Sequence, residues 1–361
     1  MDGKRGPILF RVDGTQQASW EPLYHCLSLA AALQRRRRGT HFLSYLDPLN
    51  LAQTITRGNN DWTAAEHPAG TPGDVSRTAR EAARLGASAV IVAGDAASPE
   101  SVAALRETGV TVLAIESAPA GTQEAGVVVN PLLAPSAKAY RAVPGTQLLL
   151  GRRYALVRGL FRRQRTIRAT EQPGAFRALV MMDDDDSGDQ TLVRAQQLLE
   201  MPKVEKVTVF CRTHHPRYDE LREFADANKA RAEVVTESKE MMTRLVRAHV
   251  AVTAGDGGSL ELCCVGIPQL TLPTRPSHLL NAKRLDDEGA GTFLGAAADV
   301  SFEQLHEAVN LVLDDPMERL GMNRCGRNLI DGRGGDRIVN GLEIVLHSPR
   351  LKRAAGMRIA A

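Results

Sequence analysis

Short apolar runs alternate with longer amphipathic stretches along nearly the whole chain. The runs at residues 7–12, 40–46, 89–93 and 110–115 carry few polar interruptions, and 127–129 and 148–150 are shorter runs of the same kind. Apolar runs of this length predict strands buried on both faces, as in a parallel sheet. Between them, residues 22–36 place Leu23, Leu27, Ala30, Ala31 and Leu33 at helical spacing. Pro22 suits the first turn of that helix and Gly39 ends it. Helices are predicted over 74–85, stopped by Gly86, and over 99–107, stopped by Gly109. Strand, helix, parallel strand is the grammar of an α/β domain.

The second half repeats the grammar. Strands are predicted at 176–182, 204–210, 232–235, 250–253 and 269–272. Helices are predicted at 190–199, 218–228, 239–247, 278–288, 302–313 and 316–329, with a last one from 336 to about 346. The basic, weakly periodic stretch 151–173 separates the halves. The expected organisation is an N-terminal Rossmann-like domain over 1–165, a C-terminal one over 170–348, and a frayed basic tail over 349–361. Each domain should bind ligands at the carboxyl ends of its strands.

The stretch 249–273 holds the densest candidate chemistry. A strand runs into Gly255-Asp256-Gly257-Gly258, then into Ser259-Leu260-Glu261 at a helix start. Glycines let backbone amides approach an anion at a helix N-terminus. Ser259 can cap the helix or donate to a phosphate, and Glu261 can accept from ribose hydroxyls. Such turns also occur without ligands, and spacing does not choose between the two. No Gly-Lys-Ser/Thr follows, so this is not a Walker A loop, and GxGxxG is absent.

Charge narrows the class. A net charge of +3 over 361 residues argues against a dedicated nucleic-acid binder. The basic runs are local. The one at 35–38 reads as a solvated helix end, and the one from Arg152 to Arg165 offers itself to a small anion or an acidic lipid. Five cysteines without a CxxC pair read as reduced thiols of a cytoplasmic protein. Lys4-Arg5 is not followed by an apolar segment long enough for a signal peptide, and no run of apolar residues is of membrane-spanning length. His214-His215 lacks a third ligand spaced for zinc.

Four stretches together resemble one family. They are Arg11-Val12-Asp13 with Cys26-Leu27-Ser28-Leu29-Ala30; Asn130-Pro131; Leu149-Leu150-Gly151-Arg152-Arg153-Tyr154-Ala155-Leu156-Val157-Arg158; and Glu261-Leu262-Cys263 with Gly266-Ile267-Pro268 and Asn281-Ala282. The pattern is similar to the GT-B type of nucleotide-sugar protein, with two Rossmann-like domains facing each other across a cleft. Within that type it resembles the branch of the UDP-sugar hydrolase of pseudaminic acid biosynthesis, the spore-coat polysaccharide proteins and MurG-like transferases. The resemblance implies a UDP-linked sugar on the C-terminal domain, with Glu261 on the ribose. Gly255, Gly257, Gly258, Ser259, His278, Asn281 and Tyr154 would complete the ligand site. It also implies that the N-terminal loop, with Asp13, brings an acceptor or a water to the anomeric carbon.

The departures fall at the chemistry. The histidine of the family's first helix is replaced by Pro22, which cannot transfer a proton. His25, nearly one turn later, and Glu21 are the substitute candidates. The family's glycine pair becomes Asp183-Asp184, within the run Asp183-Asp184-Asp185-Asp186. Clustered carboxylates repel a pyrophosphate unless they are neutralised. Asp183 and Asp186 on a divalent cation such as Mg²⁺ is one resolution; a solvated acidic loop is the other. Asp256 adds a further negative charge. The expected function is a nucleotide-sugar hydrolase or glycosyltransferase-like protein of polysaccharide or nonulosonate biosynthesis, transiently associated with biosynthetic partners. The alternative is a catalytically inactive relative that binds nucleotide sugar or acts structurally.

Overall fold

The computed structural model describes residues 6–16, 19–116, 121–133, 137–183, 186, 188–236 and 239–348. The chain forms two compact units, Met1–Leu156 with Arg333–Ala361, and Val157–Gly332. The expected tail at 349–361 lies outside the described residues.

The first unit begins with β1 (Ile8–Arg11), α1 (Glu21–Arg35), β2 (Thr40–Ser44), α2 (Leu51–Arg57), β3 (Asp61–Ala64), α3 (Pro72–Leu85), β4 (Ala89–Ala93) and α4 (Pro99–Glu107). It continues with β5 (Val112–Ile115), β6 (Thr122–Gln123), β7 (Val127–Asn130), β8 (Arg141–Ala142) and β9 (Gln147–Leu150). Seven strands make one parallel sheet in the order β3-β2-β1-β4-β5-β7-β9, and β6 pairs with β8. Successive residues of each strand enter opposite cores. Phe10 and Ile91 pack on one face, Leu9 and Val90 on the other. Both faces are apolar, which is why these strands read as unbroken runs.

Two sequence expectations need correction here. Ala31 is exposed and Ala32 is buried, because the buried set of α1 runs through Leu23, Cys26, Leu29, Ala30 and Leu33. The basic end of α1 is not merely solvated. The chain's last described helix, α13 (Gly334–His347), returns to this unit and packs Ile338, Val339, Leu342 and Val345 into its core. Arg35 bonds Asp336 at 2.8 Å, and Arg38 reaches Glu343 through two nitrogens at 2.7 and 3.0 Å.

The second unit runs α5 (Gly159–Ile167), β10 (Phe176–Met181), α6 (Gln190–Glu200), β11 (Val204–Phe210), α7 (Tyr218–Ala227), β12 (Ala232–Val235) and α8 (Lys239–Leu245). Then come β13 (Val250–Thr253), α9 (Gly257–Val265), β14 (Gln269–Thr271), α10 (Pro276–Asp287), β15 (Thr292–Phe293), α11 (Phe302–Asp314) and α12 (Pro316–Leu329). Its parallel sheet has the order β12-β11-β10-β13-β14-β15. In each unit the strand order reverses beside the first strand, between β1 and β4 and between β10 and β13. That reversal opens the crevice in which doubly wound sheets hold ligands.

The basic stretch after residue 151 is partly engaged in the fold. Part of it forms α5, whose one buried apolar residue is Phe161. Arg165 donates to the carbonyls of Arg327 and Ile330 at 2.8 and 3.1 Å. Just past the helix, Arg168 donates to those of Gly266 and Ala248 at 3.1 and 2.8 Å. These guanidinium groups satisfy carbonyls left over at helix and turn ends.

Candidate functional site

In the second unit the carboxyl ends of β10 and β13 carry most of the anticipated ligand residues. Gly255 adopts φ +72°, and a Cβ there would stand 2.8 Å from the Cβ of Ala282. Only glycine allows α10 to approach so closely. Asn281 fixes that approach by donating to the Gly255 carbonyl at 2.6 Å. Asp256 caps α9, accepting from the Ser259 amide at 3.1 Å. Ser259 is fully buried, and its hydroxyl bonds Thr253 at 2.9 Å and Asp256 at 3.3 Å. Ser259 and Asn281 therefore shape the loop from within. Gly258 is partly exposed and Gly257 opens α9. This leaves the glycine turn as the face toward which an anion could be drawn.

Glu261 is committed elsewhere. Its Oε1 accepts from the Arg158 backbone amide at 2.9 Å and from Nε at 2.8 Å, and its Oε2 accepts from the same guanidinium at 2.5 Å. The carboxylate is only 4% exposed. This geometry joins α9 to the start of α5; a ribose would have to displace Arg158 to reach it. Tyr154 lies in the first unit, in the turn Arg152–Tyr154, and packs against that unit's core.

The acidic loop resolves into two environments. Asp186 caps α6, accepting from the amide and hydroxyl of Thr191 at 2.9 and 2.7 Å, with His215 at 3.7 Å. Asp183 accepts from the Thr274 hydroxyl and faces Arg275 at 4.0 Å and His278 at 3.6 Å. Asp184, Asp185 and Ser187 lie outside the described residues. Among the described residues no three carboxylate, histidine or cysteine side chains form a metal-holding group. Asp183 and Asp186 thus stand in different environments: Asp186 accepts from the first turn of α6, and Asp183 faces Arg275 and His278. Arg275 is the permanent positive charge beside Asp183, and it can offset part of that carboxylate's charge.

In the first unit the corresponding crevice is a cavity of 680 Å³. Pro22 and His25 of α1, Gly94 and Asp95 after β4, Glu100 of α4, and Glu116 after β5 are among its lining residues. That volume lies in the range of small-molecule sites. His25 is buried, with Nε2 at 3.8 Å from Glu21. Asp13 does not share this cavity wall. Its carboxylate binds the Arg11 guanidinium and accepts from the amides of Tyr45 at 2.9 Å and Ala69 at 2.7 Å. Arg11 is fully buried and also pairs with Asp74. The expected catalytic Asp13 is thus a clamp on two loops.

Glu116 escaped the sequence reading. Burial pushes its carboxyl up to about 7, against the lowering effect of the Gln123 hydrogen bond at 3.1 Å to Oε2. Its Oε1 is buried without a hydrogen-bond partner among the described residues. The only sequence signal was a lone carboxylate directly after a buried strand. Burial also pushes up the thiols of Cys26, Cys263 and Cys264, so these are poor nucleophiles.

The likeness to known proteins follows the fold. No protein-family model matches the chain. A stretch of 110 residues is 28% identical to the spore coat polysaccharide biosynthesis protein SpsG of Bacillus subtilis (strain 168), covering 30% of this chain and 32% of that protein. Among solved structures, the spinosyn rhamnosyltransferase SpnG superposes with a TM-score of 0.67 at 16% identity, over 93% of this chain and 100% of that one. MurG of Acinetobacter baumannii superposes with 0.62 at 15% identity, over 93% and 99%. The fold is glycosyltransferase-like, of the GT-B type, with two Rossmann-like domains. The MurG-like part of the sequence resemblance stands on these superpositions; the narrower pseudaminic acid hydrolase branch has no counterpart among them. No helix among the described residues is long and apolar enough to cross a membrane.

Proposed function

We propose that this chain is a nucleotide-sugar-dependent glycosyltransferase-type enzyme of polysaccharide biosynthesis, which holds a UDP-linked sugar on its second unit. The observation that carries the reading is the pairing of Asp183 with Arg275 and His278 at the carboxyl edge of the second sheet. Carboxylates that would repel a diphosphate are met there by cationic or proton-donating side chains, beside a glycine turn at a helix start. The partial likeness to a polysaccharide biosynthesis protein supports the pathway class, and the uridine base rests on the family resemblance in the sequence.

Calorimetric titration with UDP and UDP-N-acetylglucosamine tests the reading, with and without Mg²⁺. Wild-type protein should bind, and Arg275→Ala should weaken binding about tenfold, as expected for loss of one charge-assisted contact. No binding of any uridine nucleotide by folded protein would overturn the reading. Binding without release of UDP in the presence of hydroxyl acceptors would point instead to a non-catalytic relative.

A further inference from the structure

The second sheet carries a polar place at the edge opposite its glycine turn. β10, β11 and β12 run parallel, with Arg177 beside Lys206 and Thr208 beside Glu233 in register. Side chains two apart in a strand share a face, so these four stand on one side of the sheet, with Leu179 and Phe210 further along it. α8 closes the carboxyl half of that side, where its Met241, Met242 and Leu245 join Leu179, Met181 and Phe210 in one core. Towards the amino ends the strands turn polar, and the side opens as a cavity of 280 Å³. Thr243 and Arg244 of α8, with Arg247 just after it, supply the helix side of the wall. Their spacing of three and four residues puts them on one helix face.

The wall holds four cationic side chains, Arg177, Lys206, Arg244 and Arg247, against the one carboxylate of Glu233. Glu233 is committed: Oε1 accepts from the Thr208 hydroxyl at 2.9 Å, and Oε2 lies 3.5 Å from Lys206 Nζ and 3.4 Å from Arg244 Nε. Among the described residues, no hydrogen bond or ion pair engages the guanidinium of Arg177 or of Arg247. The carbonyls at the end of α8 do not take them up. Those of Met242, Arg244 and Leu245 accept from backbone amides, and those of Val246 and Ala248 accept from Arg168. Like charges round a concave wall repel one another and raise the potential inside it. An oxyanion relieves that repulsion, and guanidinium forks match the paired oxygens of a phosphate. We propose that this cavity binds a phosphate group, free or as a small phosphomonoester, with Arg177 and Arg247 as its principal ligands. Lys206 and Arg244, held by Glu233, flank it. The volume stands near the lower end of small-molecule sites, about 300 Å³, which limits what the phosphate can carry. The site is separate from the glycine turn at the carboxyl edge, and it does not depend on the nucleotide-sugar reading.

The experiment is calorimetric titration of the full chain with inorganic phosphate and with glucose 6-phosphate, at low ionic strength and against matched sodium chloride. Wild-type protein should bind saturably, and chloride should not reproduce the heat. Tighter binding of glucose 6-phosphate identifies a phosphomonoester as the ligand; equal or tighter binding of inorganic phosphate identifies the free anion. Arg177→Gln combined with Arg247→Gln should weaken binding about tenfold or more. Thr243→Glu sets a carboxylate on the same wall at an exposed helix position, and should weaken binding likewise even if the double variant fails to fold. No saturable binding by the wild type, or wild-type affinity in these variants, would overturn the proposal. Affinity kept in them and lost in Arg275→Ala would move the phosphate to the carboxyl edge and overturn it too. Protein that takes up phosphate but no uridine nucleotide would overturn the nucleotide-sugar reading and leave this site standing.

Discussion

Arg158 and Glu261 form a largely buried, two-pronged ion pair that ties the start of α5 to the first turns of α9. The guanidinium also lies 4.7 Å above the Phe161 ring. Removing one partner strands the other charge in a low-dielectric setting, which costs about 3–5 kcal/mol. Glu261→Ala and Arg158→Ala should each lower the urea-derived unfolding free energy by that amount, and the urea midpoint with it. Arg158→Met with Glu261→Met should cost less than either single change. A Glu261→Ala protein with unaltered midpoint and weakened UDP binding would return Glu261 to a ribose-binding role.

The pair also marks the limit of what the sequence discloses. Glu261 stands out because it follows a glycine turn, but its partner lies 103 positions away and nothing local announces it. The strands were legible for the opposite reason. β4 and β13 are buried on both faces, and their apolar runs coincide with the observed elements. Elements with little buried surface were missed. α2 buries only Leu51 and Ile55, β3 is an edge strand whose ends are exposed, and α5 hides its helical character behind five polar or basic residues. The site was legible as a location, the carboxyl ends of the strands, but not as a set of roles. Ser259, Asn281 and Asp13 look like ligand groups in one dimension and prove to bond the backbone or their neighbours. Glu116 gains its character only from burial.

Arg11 and Asp13 offer a second measurement. The fully buried Arg11 is shared by Asp13 and Asp74, and it also donates to the His67 carbonyl at 2.9 Å. Asp13 in turn holds the Tyr45 and Ala69 amides. Loss of Asp13 leaves the Tyr45 and Ala69 amides without this acceptor and takes one of two carboxylates from the buried Arg11. Asp13→Ala should therefore destabilise the protein by about 3 kcal/mol. Any loss of activity should follow the folded fraction measured by circular dichroism. A fall in kcat in a variant as stable as the wild type would restore the catalytic role expected from the sequence.

Glu116 predicts how stability depends on pH. Its folded carboxyl sits at about 7, above the 4.5 of an ordinary glutamate, so between these values the native state holds a proton that the unfolded chain releases. The contribution is therefore fully present below about pH 4.5 and is lost as pH rises through about 7. Gln123 opposes the shift, but burial outweighs it. The difference in urea-derived stability between Glu116→Gln and wild type should grow in favour of the variant from pH 5 to pH 8, because the amide never ionises. A flat difference across this range would mean that Glu116 ionises as freely in the folded protein as in the unfolded chain.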